Sequence, residues 1–138
     1  MKQVKICALM IILTVALVGC THDIALHQQQ AEIVQINLVY SPFGENEVLY
    51  TLTGEEIQTF LDKLLELKLH KNSGPQDIGG TLFVQIIYSD ASEELLGTAS
   101  VGYTSNGTLE HDGWYYLAHD DLFALFSEYI DLSSLPGM

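Results

Sequence analysis

Two hydrophobic periods alternate along this chain from Glu32 onward. Val34, Ile36, Leu38 and Tyr40 fall on every second position with Gln35 and Asn37 between them, which predicts a half-buried strand over 32–40. Turn residues fill 41–46, and Val48, Tyr50 and Leu52 then alternate again, so the two runs predict a hairpin. Thr53-Gly54-Glu55-Glu56 has the form of a capping box. Ile57, Phe60, Leu61, Leu64 and Leu65 follow at helical spacing, with Lys63, Lys68 and Lys71 collecting toward the end that the helix dipole makes negative. Asn72-Ser73-Gly74-Pro75 stops this helix. Residues 81–89, rich in β-branched and aromatic side chains, predict a central strand. A turn at 90–93 leads to a fourth strand over 94–103. Asn106-Gly107 predicts a tight hairpin into a fifth strand over 108–118. Asp120 caps a last helix whose stripe is Leu122, Leu125, Phe126 and Tyr129. The order β-β-α-β-β-β-α predicts an α+β two-layer sandwich, a mostly antiparallel sheet with both helices on one face, spanning 32–132 with a tail at 133–138.

The amino-terminal segment has a different pattern. Lys2 and Lys5 precede an uncharged, mostly aliphatic run from Ile6 to Val18, and Leu17-Val18-Gly19-Cys20 closes it. This is the layout of a secretory signal, and the run is shorter than the roughly 20 residues a membrane span needs. Over residues 1–20 the chain resembles bacterial lipoproteins. That resemblance implies a signal peptide at 1–19, recognition of Leu17, Val18 and Gly19 by the processing machinery, and acylation of Cys20 as the new first residue. It further implies a protein held by lipid in the cell membrane or outer membrane and facing away from the cytoplasm, Thr21 after the cysteine favouring the outer membrane where there are two. An uncleaved anchor helix and a plain signal peptide are the competing readings. The polar, glutamine-rich segment 20–31 reads as a lipidated tether. The layout of the remaining domain is similar to that of small bacterial lipoproteins of unassigned function.

Processing changes the charge. Removing 1–19 from 138 residues leaves 119, with three of the five lysines, no arginine and all 18 acidic residues, hence a formal charge of −15 in place of −13. So acidic a chain argues against nucleic-acid partners and against electrostatic docking on anionic lipid head groups, so that membrane attachment is expected to be covalent. It suits a cationic partner or simple solubility. Cys7 leaves with the signal, so no thiol chemistry and no disulfide is expected in the domain.

The chemistry-bearing residues are sparse. Three His-Asp pairs occur, His22-Asp23, His111-Asp112 and His119-Asp120; if the last two meet, they offer Zn²⁺ ligands, although their spacing matches no compact zinc motif. Glu55-Glu56 and Glu93-Glu94 read as solvated charge rather than acid–base dyads, because neighbouring residues diverge. Within Trp114-Tyr115-Tyr116, Trp114 and Tyr116 share one strand face and Tyr115 takes the other; Tyr115, with Tyr103 or Tyr88, is a candidate exposed binding surface, and cross-strand aromatic packing is the competing and favoured reading. No nucleophile elbow, phosphate loop or cofactor motif is present. The leading expectation is a non-catalytic binding domain meeting an envelope protein. A metal- or small-solute-binding lipoprotein is the second reading, and a small hydrolase the third.

Overall fold

The computed structural model describes residues 21–42, 45–72, 81–98, 101–103 and 113–135. The described elements are strands β1 (Thr21–Asp23), β2 (Ile33–Ser41), β3 (Glu47–Leu52), β4 (Lys68–Asn72), β5 (Thr81–Tyr88), β6 (Glu93–Gly97), β7 (Val101–Tyr103) and β8 (Gly113–Leu117), with helices α1 (Glu55–Leu64) and α2 (His119–Ser127) and 3-10 turns at Gln30–Glu32 and Leu132–Ser134. All strand pairings are antiparallel and form two sheets, ordered β1-β4-β8-β7 and β3-β2-β5-β6. The fold is an α+β sandwich, as the hydrophobic pattern predicts, but it has three more strands than the pattern shows, and they form two antiparallel sheets in place of the single sheet expected.

Period-2 alternation places the core. Ile36, Leu38 and Tyr40 of β2 and Leu82, Val84, Ile86 and Tyr88 of β5 are at most 1% exposed, and all point to one face of the second sheet. On that face α1 packs against β2 and α2 against β5. Phe60, Leu61, Leu64, Leu122 and Phe126 complete the cluster, which Leu69, Tyr115 and Leu117 of the other sheet join. Full burial of a side chain such as Phe60 stabilises the fold by roughly 1.5–3 kcal/mol.

Two β-bulges move residues off the face that strict alternation assigns them. The register shifts between Ile33 and Gln35, and Val34 turns outward, 53% exposed. It shifts again between Leu38 and Val39, where Tyr50 opposes Leu38 but Val48 opposes Val39. The extra residue is Leu49, so Val48 leaves the core side and is 52% exposed on the opposite face.

Helix α1 departs from its expected ends. Gly54, at φ 60°, is the N-cap, and no side chain caps the helix. Thr53 therefore lies outside the helix, and the Glu56 carboxylate instead accepts a hydrogen bond from the Tyr50 hydroxyl at 2.7 Å. The helix ends at Leu64, because the helical stripe stops there. Lys68, Leu69 and His70 then run exposed, buried and half-buried in β4, a period of two that the Leu-rich composition conceals. At α2 the cap position is Ala118, and Asp120 sits in the first turn rather than at the cap.

The segment expected as a tether is part of the fold. Thr21 to Asp23 pair with His70 to Lys68. Ile24 is 8% exposed and Leu26 packs on the core. Glu32 accepts from the Ser89 amide at 2.7 Å through its carbonyl and from the Ser89 hydroxyl at 2.6 Å through its carboxylate. Polar composition suggests a leash, but buried Ile24, partly buried Leu26 and these hydrogen bonds hold the segment down.

Candidate functional site

The face of the β3-β2-β5-β6 sheet turned away from the helices carries a cleft of about 310 Å³ lined by Val39, Ser41, Asn46, Val48, Phe83, Gln85, Glu93 and Leu95. Register builds its floor. Val48, Val39, Phe83 and Gly97 form one row across the four strands, and Thr51, Asn37, Gln85 and Leu95 the next. Directly opposed residues share a face, so the first row is apolar and the second largely amide and hydroxyl. The Phe83 ring lies over Gly97 in the space a side chain there would fill. Val48 and Leu95, which is 45% exposed, leave apolar surface open on two sides of Phe83.

A directed hydrogen-bond ladder crosses the second row. Gln35 Nε2 and Thr51 Oγ1 each donate to Asn37 Oδ1 at 2.9 Å. Asn37 Nδ2 donates to Gln85 Oε1 at 2.8 Å, and Gln85 Nε2 donates to Glu93 Oε2 at 2.6 Å. Every donor points toward Glu93, so the ladder ends on an exposed carboxylate at the cleft. Hydrogen bonds in series polarise one another, and the last, being charge-assisted, is the shortest. The ladder fixes the Glu93 carboxylate beside an apolar floor.

A second cluster lies on the helix side. Glu94 is 2% exposed although its neighbour Glu93 is in solvent. Its Oε2 accepts from the Tyr88 hydroxyl at 2.5 Å and from the His27 amide at 3.1 Å, and its Oε1 stands 3.6 Å from His27 Nε2. Burial, then the Glu94 carboxylate, pushes the Tyr88 hydroxyl pKa well above the usual tyrosine range. Gln28 adds hydrogen bonds to Asp90 at 3.0 Å and Ser92 at 2.7 Å. Two hydrogen bonds from Ser92, then one from Gln28, hold the Asp90 carboxyl below its ordinary range. This cluster fastens residues 27 and 28 to the β5–β6 turn. Glu94 is thus a buried structural group, not solvated charge.

Tyr115 is 3% exposed and sits in the core, with His22 edge-on at 5.2 Å between ring centroids. Tyr115 is therefore not the exposed candidate surface but packed, as the competing reading has it: β8 turns Tyr115 and Leu117 inward and leaves Tyr116 half-buried, stacked on His70 at 5.4 Å. Tyr88 is also buried rather than on the open face. Tyr103 stands opposite Gly113 on edge strand β7. His111 and Asp112 lie outside the described residues. His119 Nδ1 is 3.6 Å from Asp120 Oδ1 at the exposed start of α2. His22 and Asp23 part, the histidine against Tyr115 and the aspartate paired with Lys68. Among the described residues no three metal-ligating side chains come together. Cys20, Leu17, Val18 and Gly19 lie outside the described residues, and no described helix is long and apolar enough to cross a membrane.

Sequence reasoning missed Val39, Val48, Phe83 and Leu95 as a surface, and Glu94 as a buried group. The available signal was the run of amides at Gln35, Asn37 and Gln85, polar positions on strands that otherwise alternate with core. Comparison with known protein families, curated proteins and solved structures returned no match to this chain.

Proposed function

We propose that this chain is a lipid-anchored protein of the bacterial envelope whose domain binds a partner without catalysis, at the open-face cleft. The observation that carries the reading is the juxtaposition, on one sheet face, of the apolar floor Val39, Val48, Phe83 and Leu95 with the ladder-held carboxylate of Glu93. Such a surface fits an extended protein segment that presents a lysine or arginine beside an apolar side chain. The cation meets Glu93, and the apolar group displaces water from Phe83 and Val48. The charge of −15 after loss of residues 1–19 raises the encounter rate with that partner. The anchor supports the reading from the sequence side: Leu17-Val18-Gly19-Cys20 supplies an address at which a binding domain needs no chemistry of its own.

The test is photo-crosslinking in intact cells of the source organism. A photoreactive phenylalanine replaces Val48 or Leu95 in the full chain, and Ala124, exposed on α2, in the control. A discrete adduct from 48 and 95, mapping to a segment with a cationic residue next to an apolar one, is expected. Adducts from all three positions alike, or from 124 alone, would contradict the cleft as the binding surface.

A further inference from the structure

We propose that the open-face cleft selects a lysine side chain over an arginine, and that Gln85 sets this preference by occupying one oxygen of the Glu93 carboxylate. The proposal rests on the reading of Glu93 as the cation-binding end of the cleft and adds which cation it takes.

The carboxylate sets the direction of the ladder. An ionised carboxylate only accepts hydrogen bonds, so the Gln85 amide turns its Nε2 toward Glu93 and its Oε1 toward Asn37. Asn37 then presents Nδ2 to Gln85, and its Oδ1 accepts from both Thr51 Oγ1 and Gln35 Nε2. Glu93 Oε2 is thereby held at 2.6 Å in a charge-assisted bond. Glu93 Oε1 accepts no hydrogen bond among the described residues, and Glu93 forms no ion pair among them, although it is exposed. Lys63 and Lys68 are engaged elsewhere, with Glu128 and Asp23. The cleft therefore offers a cation one open carboxylate oxygen, with exposed Leu95 on the same strand face two residues along.

One oxygen suits the two cations unequally. A guanidinium gains its strength on a carboxylate from a planar fork that meets both oxygens at once. With Oε2 held, it meets Oε1 alone, and its other N–H groups enter a cleft where Leu95 and Val48 supply no acceptor. To reach both oxygens an arginine must displace the Gln85 amide. That amide is also the acceptor for Asn37 Nδ2, and Asn37 is only 7% exposed, so water replaces the lost partner poorly. The ladder resists this rearrangement as a unit. An ammonium is a compact charge that needs one oxygen and keeps water on its other protons at the exposed rim.

The test titrates the full-length chain, in a neutral detergent, with capped Leu-Lys-Leu and capped Leu-Arg-Leu peptides. Dissociation constants are read from the ¹⁵N amide shifts of Glu93 and Leu95. The lysine peptide is expected to bind several-fold more tightly. Gln85→Met, which removes the donor and keeps the length of the side chain, should shrink that ratio by strengthening the arginine peptide. Gln85→Ser, too short to reach Glu93, should do the same and serves if the methionine variant does not fold. Saturable shifts with the arginine peptide bound as tightly as the lysine one would overturn the selectivity and leave the cleft reading intact. A ratio unchanged in the folded Gln85 variants would overturn the role of Gln85. Amides of Glu93 and Leu95 that respond to neither peptide would overturn the cleft reading and this proposal together.

Discussion

Phe83 lies directly opposite Gly97 across β5 and β6, and its ring takes the space that a side chain at 97 would need. A Cβ built at Gly97 would stand 2.3 Å from Phe83 Cδ1 and 2.7 Å from the Leu82 carbonyl oxygen. The ring can rotate away, but the carbonyl belongs to the sheet. Gly97→Ala is therefore expected to destabilise the fold by about 1–3 kcal/mol, as overpacking does. Urea unfolding checks the magnitude, and an unchanged midpoint would show that the backbone yields freely there. The same substitution should displace Phe83 from the cleft floor and weaken partner binding.

Glu94 gives a second prediction. Its buried carboxylate joins Tyr88 in β5 to the His27 amide. Glu94→Ala leaves a tyrosine hydroxyl and an amide without their acceptor, at a cost of about 1–3 kcal/mol for each group left unsatisfied. The loss should be local as well as global. Hydrogen exchange of residues 24–30 is expected to accelerate more than that of the β2–β5 ladder. Equal acceleration everywhere would mean that Glu94 supports the sheet and not the amino-terminal segment.

Tyr88 sets a direction for alkaline stability. The unfolded tyrosine loses its proton near pH 10, whereas burial and Glu94 hold the folded Tyr88 hydroxyl protonated to higher pH. A group whose pKa is raised by folding stabilises fully below its unfolded pKa, and that stability drains away as pH rises above it. Unfolding free energy should accordingly be level with respect to this group up to about pH 10 and fall beyond it. Tyr50, bonded to Glu56, and Tyr129, partly buried, are raised too and add to the slope. Tyr88→Phe should make the decline shallower in chemical denaturation at stepped pH; an identical slope would refute the assignment.

Much of the fold is legible in the chain because burial has a period. The β2–β3 hairpin, the β5 strand and the apolar stripes of both helices follow from spacing alone. What spacing conceals is register. One inserted residue at Leu49 carries Val48 to the opposite face, and another at Val34 does the same. Neither bulge has a glycine to mark it. β4 was hidden because Leu64, Leu65, Leu67 and Leu69 satisfy a helical count almost as well as an alternating one. The cleft was invisible for a related reason: its floor joins residues from four strands, and only their pairing makes Val48, Val39, Phe83 and Gly97 a row. The face of Tyr115 is not legible because alternation gives two phases, and the sequence alone does not say which is buried. The burial of Glu94 is not legible because a carboxylate is rarely buried without partners, and its partners, Tyr88 and His27, come from other positions along the chain.

The proposed anchor makes a prediction independent of the fold. Cys20→Ala should abolish acylation and leave an unprocessed precursor, read by fatty-acid labelling and electrophoretic mobility in a bacterial host. Labelled, normally sized protein from that variant would refute the assignment of Cys20.

The central claim is that the open face of the β3-β2-β5-β6 sheet recognises a cationic side chain next to an apolar one. The most direct measurement is a ¹⁵N chemical-shift titration of the protein with two capped peptides, one alternating leucine and lysine, the other leucine and glutamate. The account predicts saturable shifts at Val39, Val48, Phe83, Gln85, Glu93 and Leu95 with the lysine peptide alone, lost in Glu93→Gln while the fold persists. Shifts centred elsewhere, or equal responses to both peptides, would contradict it.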